Sequence, residues 1–120
     1  MADLVRITVD EREGAQVAAI AGEVDLASIG DVRGALQRAI DERALGLVLD
    51  LASVTYLDSA AVAMLFELAE GLRQDGRELR LAVPQEALTR KTLLLTGIER
   101  VAPVDADVDA AVAALRAFRK

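Results

Sequence analysis

Glu23 and Asp25 close one apolar stretch of the chain, and the pair Asp58-Ser59 interrupts another, VTYLDSAAVAMLF (Val54 to Phe66). A serine beside an aspartate, just ahead of an apolar helical run, suits two kinds of chemistry. It can cap the helix, its side-chain oxygen accepting from an unpaired backbone N–H. It can also take a phosphate, because the same N–H groups and the positive end of the helix dipole stabilise an anion. The residues alone leave both readings open. Glu23, Asp25 and Asp58 are also of a type that holds a hard cation such as Mg²⁺. Their spacing matches no Ca²⁺ loop, solvated loop carboxylates are the commoner case, and no metal ligand is assigned.

Other chemistry is largely removed by composition. The 120 residues contain no histidine and no cysteine, which excludes histidine-dependent triads, thiolate nucleophiles and His/Cys metal sites. Neither GxxxxGK[ST] nor GxGxxG occurs. A Ser-Lys pair would need Lys91, the only lysine besides Lys120, and no motif links it to Ser59. Catalysis by the chain itself is not expected, and neither is a cofactor. Aromatic residues make up 2 %, too few for a base-stacking platform. The net charge is −6 with no basic run, which disfavours nucleic acid and anionic membrane as partners. The longest apolar run, Ala60 to Phe66, is far short of the roughly 20 residues of a membrane span. The N-terminal MADLVRITVD lacks the pattern of a secretory signal, so the cytoplasm is the expected compartment.

The elements that must position these residues follow from periodicity. Leu4 to Asp10 alternates and reads as a strand, Glu11 to Gly14 as a hairpin turn, and Ala15 to Val24 as the antiparallel partner. Ser28 to Arg43 places Ile29, Val32, Leu36, Ala39 and Ile40 at helical spacing. Leu45 to Leu51 is a continuous apolar strand. A loop after Asp50, strand-like from Val54 until it breaks at the Asp-Ser pair, then carries Asp58 and Ser59, one of which caps a helix reaching about Gln74 and stopped by Gly76. Glu78 to Val83 is a strand, and Gln85 to Leu95 a helix ending at Thr96 with Gly97 just past it. Arg100 to Val104 reads as a short strand. Asp107 caps a last helix with the stripe Val108, Ala111, Val112, Leu115 and Phe118.

The order ββαβαβαβα predicts an α/β fold of one domain over residues 1–120, with a mixed, mainly parallel sheet and helices packed on it. The second and third strands are joined through a helix and must run parallel. Their carboxyl ends share one edge, bringing Glu23 and Asp25 toward Asp58 and Ser59, and such edges are where α/β sheets build sites. On the helix after Ser59, a projection at about 100° per residue puts Val62, Leu65, Phe66, Ala69 and Leu72 on the core side. Ala60, Ala63, Met64, Glu67 and Gly71 lie on the outer side, a small-residue face suited to protein docking, with methionine as an adaptable contact.

Four stretches are familiar together: GEVDLAS (Gly22 to Ser28), LVLDLASVTYLDSAAV (Leu47 to Val62), DGRELRLAVPQEAL (Asp75 to Leu88) and LLLTGIERV (Leu93 to Val101). In this order and spacing the chain resembles the STAS domain family, specifically the bacterial anti-sigma factor antagonists. The resemblance implies a STAS-like fold and a protein that is not an enzyme. The unphosphorylated form would bind an anti-sigma factor of the serine-kinase type and release a sigma factor. The kinase would phosphorylate the serine of the D-S motif and end the binding, and a serine phosphatase would restore it. Carried onto this chain, the phosphoacceptor is Ser59, and Asp58, Asp25 and Glu23 match the acidic positions around it. Where the family often reads D-S-S-G-[LIV]-G, this chain has Asp58-Ser59-Ala60-Ala61-Val62-Ala63, and the missing glycines should stiffen the helix start.

The same resemblance admits a STAS adaptor subunit of a lipid-transport or stress-signalling assembly. A receiver-like phosphoacceptor domain is a further alternative, with Asp50 as acceptor and Asp10-Glu11 as its acidic pair. Against it, no Ser or Thr ends ELRLAV, no lysine follows the last strand, and a receiver would not open with a hairpin.

Overall fold

The computed structural model describes residues 5–41 and 43–118, with the side chain of Phe118 not among them. The predicted strand start at Leu4, the place of Phe118 in the last stripe, and Lys120 lie outside the described residues. Strands β1 (Val5–Arg12) and β2 (Ala15–Val24) form the expected hairpin. Its turn is tighter than predicted, only Glu13 and Gly14, both at positive φ (54° and 89°), the backbone that lets a two-residue turn follow the strand twist.

Helix α1 (Ile29–Ala39) stops short of the predicted Arg43. The Asp41 N–H, which a longer helix would use internally, donates to the Gln16 side chain at 2.7 Å, and the Arg77 guanidinium takes the Asp41 carbonyl at 2.8 Å. Strand β3 (Gly46–Leu57) is much longer than predicted. The segment expected as a loop after Asp50 is strand up to Leu57. Helix α2 (Ser59–Gln74) ends where Gly76 turns to φ 73°: the Gly76 N–H reaches the Arg73 carbonyl at 2.9 Å and the Arg77 N–H the Leu72 carbonyl at 2.8 Å.

Strand β4 (Glu78–Ala82) follows, and then helix α3 (Leu88–Leu95), which begins three residues after the predicted Gln85 because residues 84–87 close a turn, Ala87 N–H to Pro84 carbonyl. Gly97 at φ 79° follows the helix, as expected, and opens a short 3₁₀ turn at Ile98–Arg100. That turn replaces the first part of the predicted last strand. Strand β5 is only Val104–Asp105. Helix α4 (Val108–Phe118) starts as predicted at Asp107, whose carboxylate accepts from the Ala110 N–H at 2.8 Å.

The sheet order is β1-β2-β3-β4-β5, with β1 antiparallel to β2 and every other pair parallel. The period of two along the strands sorts the core into two layers. Ile20, Leu47, Leu49, Leu79 and Leu81 face the layer holding α1, α2 and α3. Val17, Val48 and Ala82 face the opposite layer, which α4 covers with Ala111, Val112 and Leu115. On that second face Arg80 lies between Glu78 (2.8 Å) and Asp105 (2.7 Å), tying the two-residue β5 to β4. Burial alone would lower the Arg80 pKa; the hydrogen bonds to Asp105 and Glu78 and the negative charge of both together outweigh it and raise the value, so Arg80 stays charged.

Candidate functional site

The carboxyl edge of β2 and β3 is built by an unequal pair of strands. β3 pairs with β4 only over Gly46 to Asp50, yet it stays paired with β2 as far as Leu57, opposite Val24. Two register shifts in the β2–β3 ladder, after Ala19 and after Gly22, give β3 its extra residues. The first is supported by Asp50, whose carboxylate accepts from the Ala52 N–H at 3.1 Å. Inward residues along this segment therefore fall at Leu51, Val54 and Leu57, three apart instead of two. The ladder closes with the Asp58 N–H on the Val24 carbonyl at 3.2 Å.

Asp58 is the N-cap of α2. Its Oδ1 accepts from the Ala61 N–H and its Oδ2 from the Leu26 N–H, both at 2.9 Å. One carboxylate thus joins the helix start to the β2–α1 connection. Ser59 is the first helical residue, and its side chain is exposed. Behind it along the helix, Ala63 and Glu67 continue one exposed stripe. Glu67 is paired with Arg33 of α1 at 2.9 Å. Ala60 is half-buried.

Met64 does not belong to this outer face. It is 3 % exposed and packs in the core, while Val62 and Phe66, expected as core, are half-buried and Ala61 is fully buried. The projection assumed a helix resting on the sheet alone. α2 also leans on α1, which rotates the buried stripe toward that neighbour. Met64 instead forms the floor, with Leu36 and Leu72, of a 320 Å³ groove between α1 and α2.

Of the other predicted residues, Glu23 is exposed at the end of β2 and stands in register with Tyr56, itself 51 % exposed. Asp25 is half-buried and its carboxylate accepts from the Ser28 N–H at 3.1 Å. The edge thus brings Glu23, Asp25, Asp58 and Ser59 together as the topology requires. Among the described residues no group of three or more His, Cys, Asp or Glu is placed to hold a metal. No helix among them is long and apolar enough to cross a membrane. Asp50, the acceptor in the receiver alternative, lies within β3 and not at its carboxyl end, and its carboxylate is used by the strand itself.

The STAS domain profile matches residues 6–111, nearly the whole chain. The chain belongs to the STAS domain family. A curated relative, the anti-sigma-F factor antagonist RsfB of Mycobacterium tuberculosis, is 26 % identical over 99 residues, covering 82 % of this chain and 79 % of its own. A crystal structure of an anti-sigma factor antagonist from Mycobacterium paratuberculosis superposes with a TM-score of 0.83 at 25 % identity, over 93 % of this chain and 94 % of that one. The anti-sigma factor antagonist SpoIIAA in its unphosphorylated form shares the fold at 18 % identity, with a TM-score of 0.74 over 93 % and 97 % of the two chains. The receiver alternative falls with this assignment: the STAS sheet runs in chain order and opens with an antiparallel strand.

Three residues of the STAS edge escape a reading of the sequence. Ser28 reads in the sequence only as the first residue of a helical stretch. Its side chain is instead buried, 8 % exposed, donating to the Glu23 carbonyl at 3.0 Å and accepting from the Asp25 N–H at 3.1 Å. Leu26 is 75 % exposed although apolar. Tyr56 stands out in solvent from the last part of β3, 51 % exposed. The β-branched and aromatic run Val54-Thr55-Tyr56 is the signal that marks that segment as strand.

Proposed function

We propose that this STAS chain, acting as one domain, is an anti-sigma factor antagonist whose unphosphorylated form binds an anti-sigma factor of the serine-kinase type and so releases a sigma factor. Phosphorylation of Ser59 ends the binding, and a serine phosphatase reverses it. The kinase supplies the catalysis; the chain itself is a binding module of the cytoplasm, without cofactor, and contacts neither nucleic acid nor membrane. The observation that carries this reading is the division of labour at the start of α2: Asp58 takes the cap, leaving Ser59 exposed on the first turn. A phosphate there meets unpaired N–H groups and the positive helix end, so the modification leaves the fold intact while adding about −1.5 to −2 charges. The names of the relatives support the general role.

Glu23, Asp25, Asp58, Ala60, Ala63 and Glu67 are the proposed partner-binding residues, and the buried Met64 leaves that set. A phosphate on Ser59 is bulky and strongly hydrated, so a partner surface fitted to the bare serine must give way or strip its water; each ~1.4 kcal/mol of that cost is a tenfold loss of affinity. The test is binding and phosphorylation with the purified cognate kinase. Wild type is expected to acquire acid-stable phosphate on Ser59, located by mass spectrometry, and to lose binding. Ser59→Ala is expected to bind whether or not ATP is present. A Ser59→Ala protein that binds no kinase, alongside a wild type that takes up no phosphate, overturns the reading.

A further inference from the structure

We propose that Leu26 is the apolar anchor by which this edge holds its protein partner, that Asp58 positions it, and that the partner offers an apolar pocket rimmed by basic groups. The proposal rests on the partner-binding reading above and adds the contact residue and the chemistry it meets. The β2–α1 connection is short, and its backbone is pinned on every side. The Leu26 N–H is held by Asp58 Oδ2 at 2.9 Å, the Asp25 N–H by Ser28 Oγ at 3.1 Å, and the Ser28 N–H by Asp25 Oδ1 at 3.1 Å. The Ile29 N–H completes the set on the Asp25 carbonyl at 2.8 Å. A largely buried serine and two half-buried carboxylates therefore fix the backbone that presents a leucine side chain 75 % exposed. Rigid presentation of an apolar group in water contributes nothing to the fold. It lowers the ordering cost of binding, which is what a preorganised anchor does.

Charge identifies the occupant. From Glu23 to Gly34 the chain carries Glu23, Asp25 and Asp31 against a single cation, Arg33, and that cation is paired with Glu67. Asp58 adds a further carboxylate from the neighbouring strand end. The complement of an apolar centre in an acidic ring is an apolar pocket in a basic ring.

The measurement is the affinity of the purified serine kinase that phosphorylates Ser59, by titration calorimetry, with every variant made in a Ser59→Ala background. Leu26→Ala is expected to weaken binding about 10- to 30-fold, since most of a leucine side chain no longer enters the pocket. Leu26→Met, which refills it, is expected to restore affinity to within about threefold. Asp58→Asn retains one carbonyl oxygen for the Ala61 cap but none for Leu26. It is expected to weaken binding while hydrogen exchange speeds up at the Leu26 amide and not at the Ala61 amide. A parent that binds and a Leu26→Ala variant that binds equally well overturns the anchor alone. A parent that binds no such kinase overturns the partner reading and the anchor with it.

Discussion

At the scale of single residues, the two oxygens of Asp58 have separate duties, one to α2 and one to the β2–α1 connection. Removing the carboxylate loses a helix cap and leaves a second N–H unpaired. Asp58→Ala is therefore expected to cost about 2–3 kcal/mol in urea unfolding. Ser59→Ala, on an exposed side chain with the cap already supplied, should stay within about 0.5 kcal/mol of wild type. The reverse ranking would mean that Ser59 holds the helix start. The Asp58-Ser59 pair is legible in the sequence as a cap-and-helix signal, but which of the two caps is not. That depends on where the chain arrives from, and the arrival is set by the last β2–β3 pair, Val24 with Leu57. Ser28 misleads for a related reason. A serine before a helical run normally points outward to an N–H of its own helix, whereas this one turns back to the end of β2.

At the scale of elements, β3 decides the shape of the edge, and its length is only partly legible in the sequence: Val54 to Leu57 runs strand-like, but its continuity with the apolar run ending at Leu51 does not show. Strand recognition relies on a period of two. The register shifts replace it with Leu51, Val54 and Leu57, a spacing of three that resembles part of a helix face. The start of β3 is constrained differently. A Cβ at Gly46 would stand 2.5 Å from the Glu78 carbonyl oxygen and 2.8 Å from a methyl of Leu115. Gly46→Ala must push β4 or α4 away and is expected to destabilise by about 1–3 kcal/mol. Gly71 in α2 has nothing within 4 Å of its missing Cβ, so Gly71→Ala should stabilise by about 0.5–1 kcal/mol through helix propensity. Thermal unfolding of the two variants should move in opposite directions. The helices were easier to read than the strand: α2 ends at Gln74, as its Gly76 stop signal suggested. The buried side of α2 was legible at Leu65, Ala69 and Leu72, and Met64 was misplaced because a single-sequence projection does not contain α1.

At the scale of the whole molecule, a net charge of −6 shapes what can approach. Several cations are already engaged in pairs, among them Arg12 with Asp109, Arg33 with Glu67, and Arg116 with Glu13. At the Ser59 edge a partner meets the carboxylates of Glu23, Asp25 and Asp58. Raising the salt from about 0.05 to 0.5 M is expected to weaken kinase binding about tenfold, chiefly through slower association. An affinity indifferent to salt would contradict the basic rim assigned to the partner. The mixed, mainly parallel sheet was legible from the order of elements. The sidedness of the helices was not, because it depends on whether the sheet keeps growing in one direction. Here it does, with α1 to α3 on one face and α4 on the other. Spatial order equal to chain order also bears on synthesis. Every strand pairs with the one made just before it, so no gap waits for a later segment and few long loops need closing. The Ser59 edge is complete with β2, α1, β3 and the first turn of α2, which ends just past the middle of the chain. A polypeptide leaving the ribosome amino end first can therefore bring Ser59 into place while β4 and β5 are still being translated.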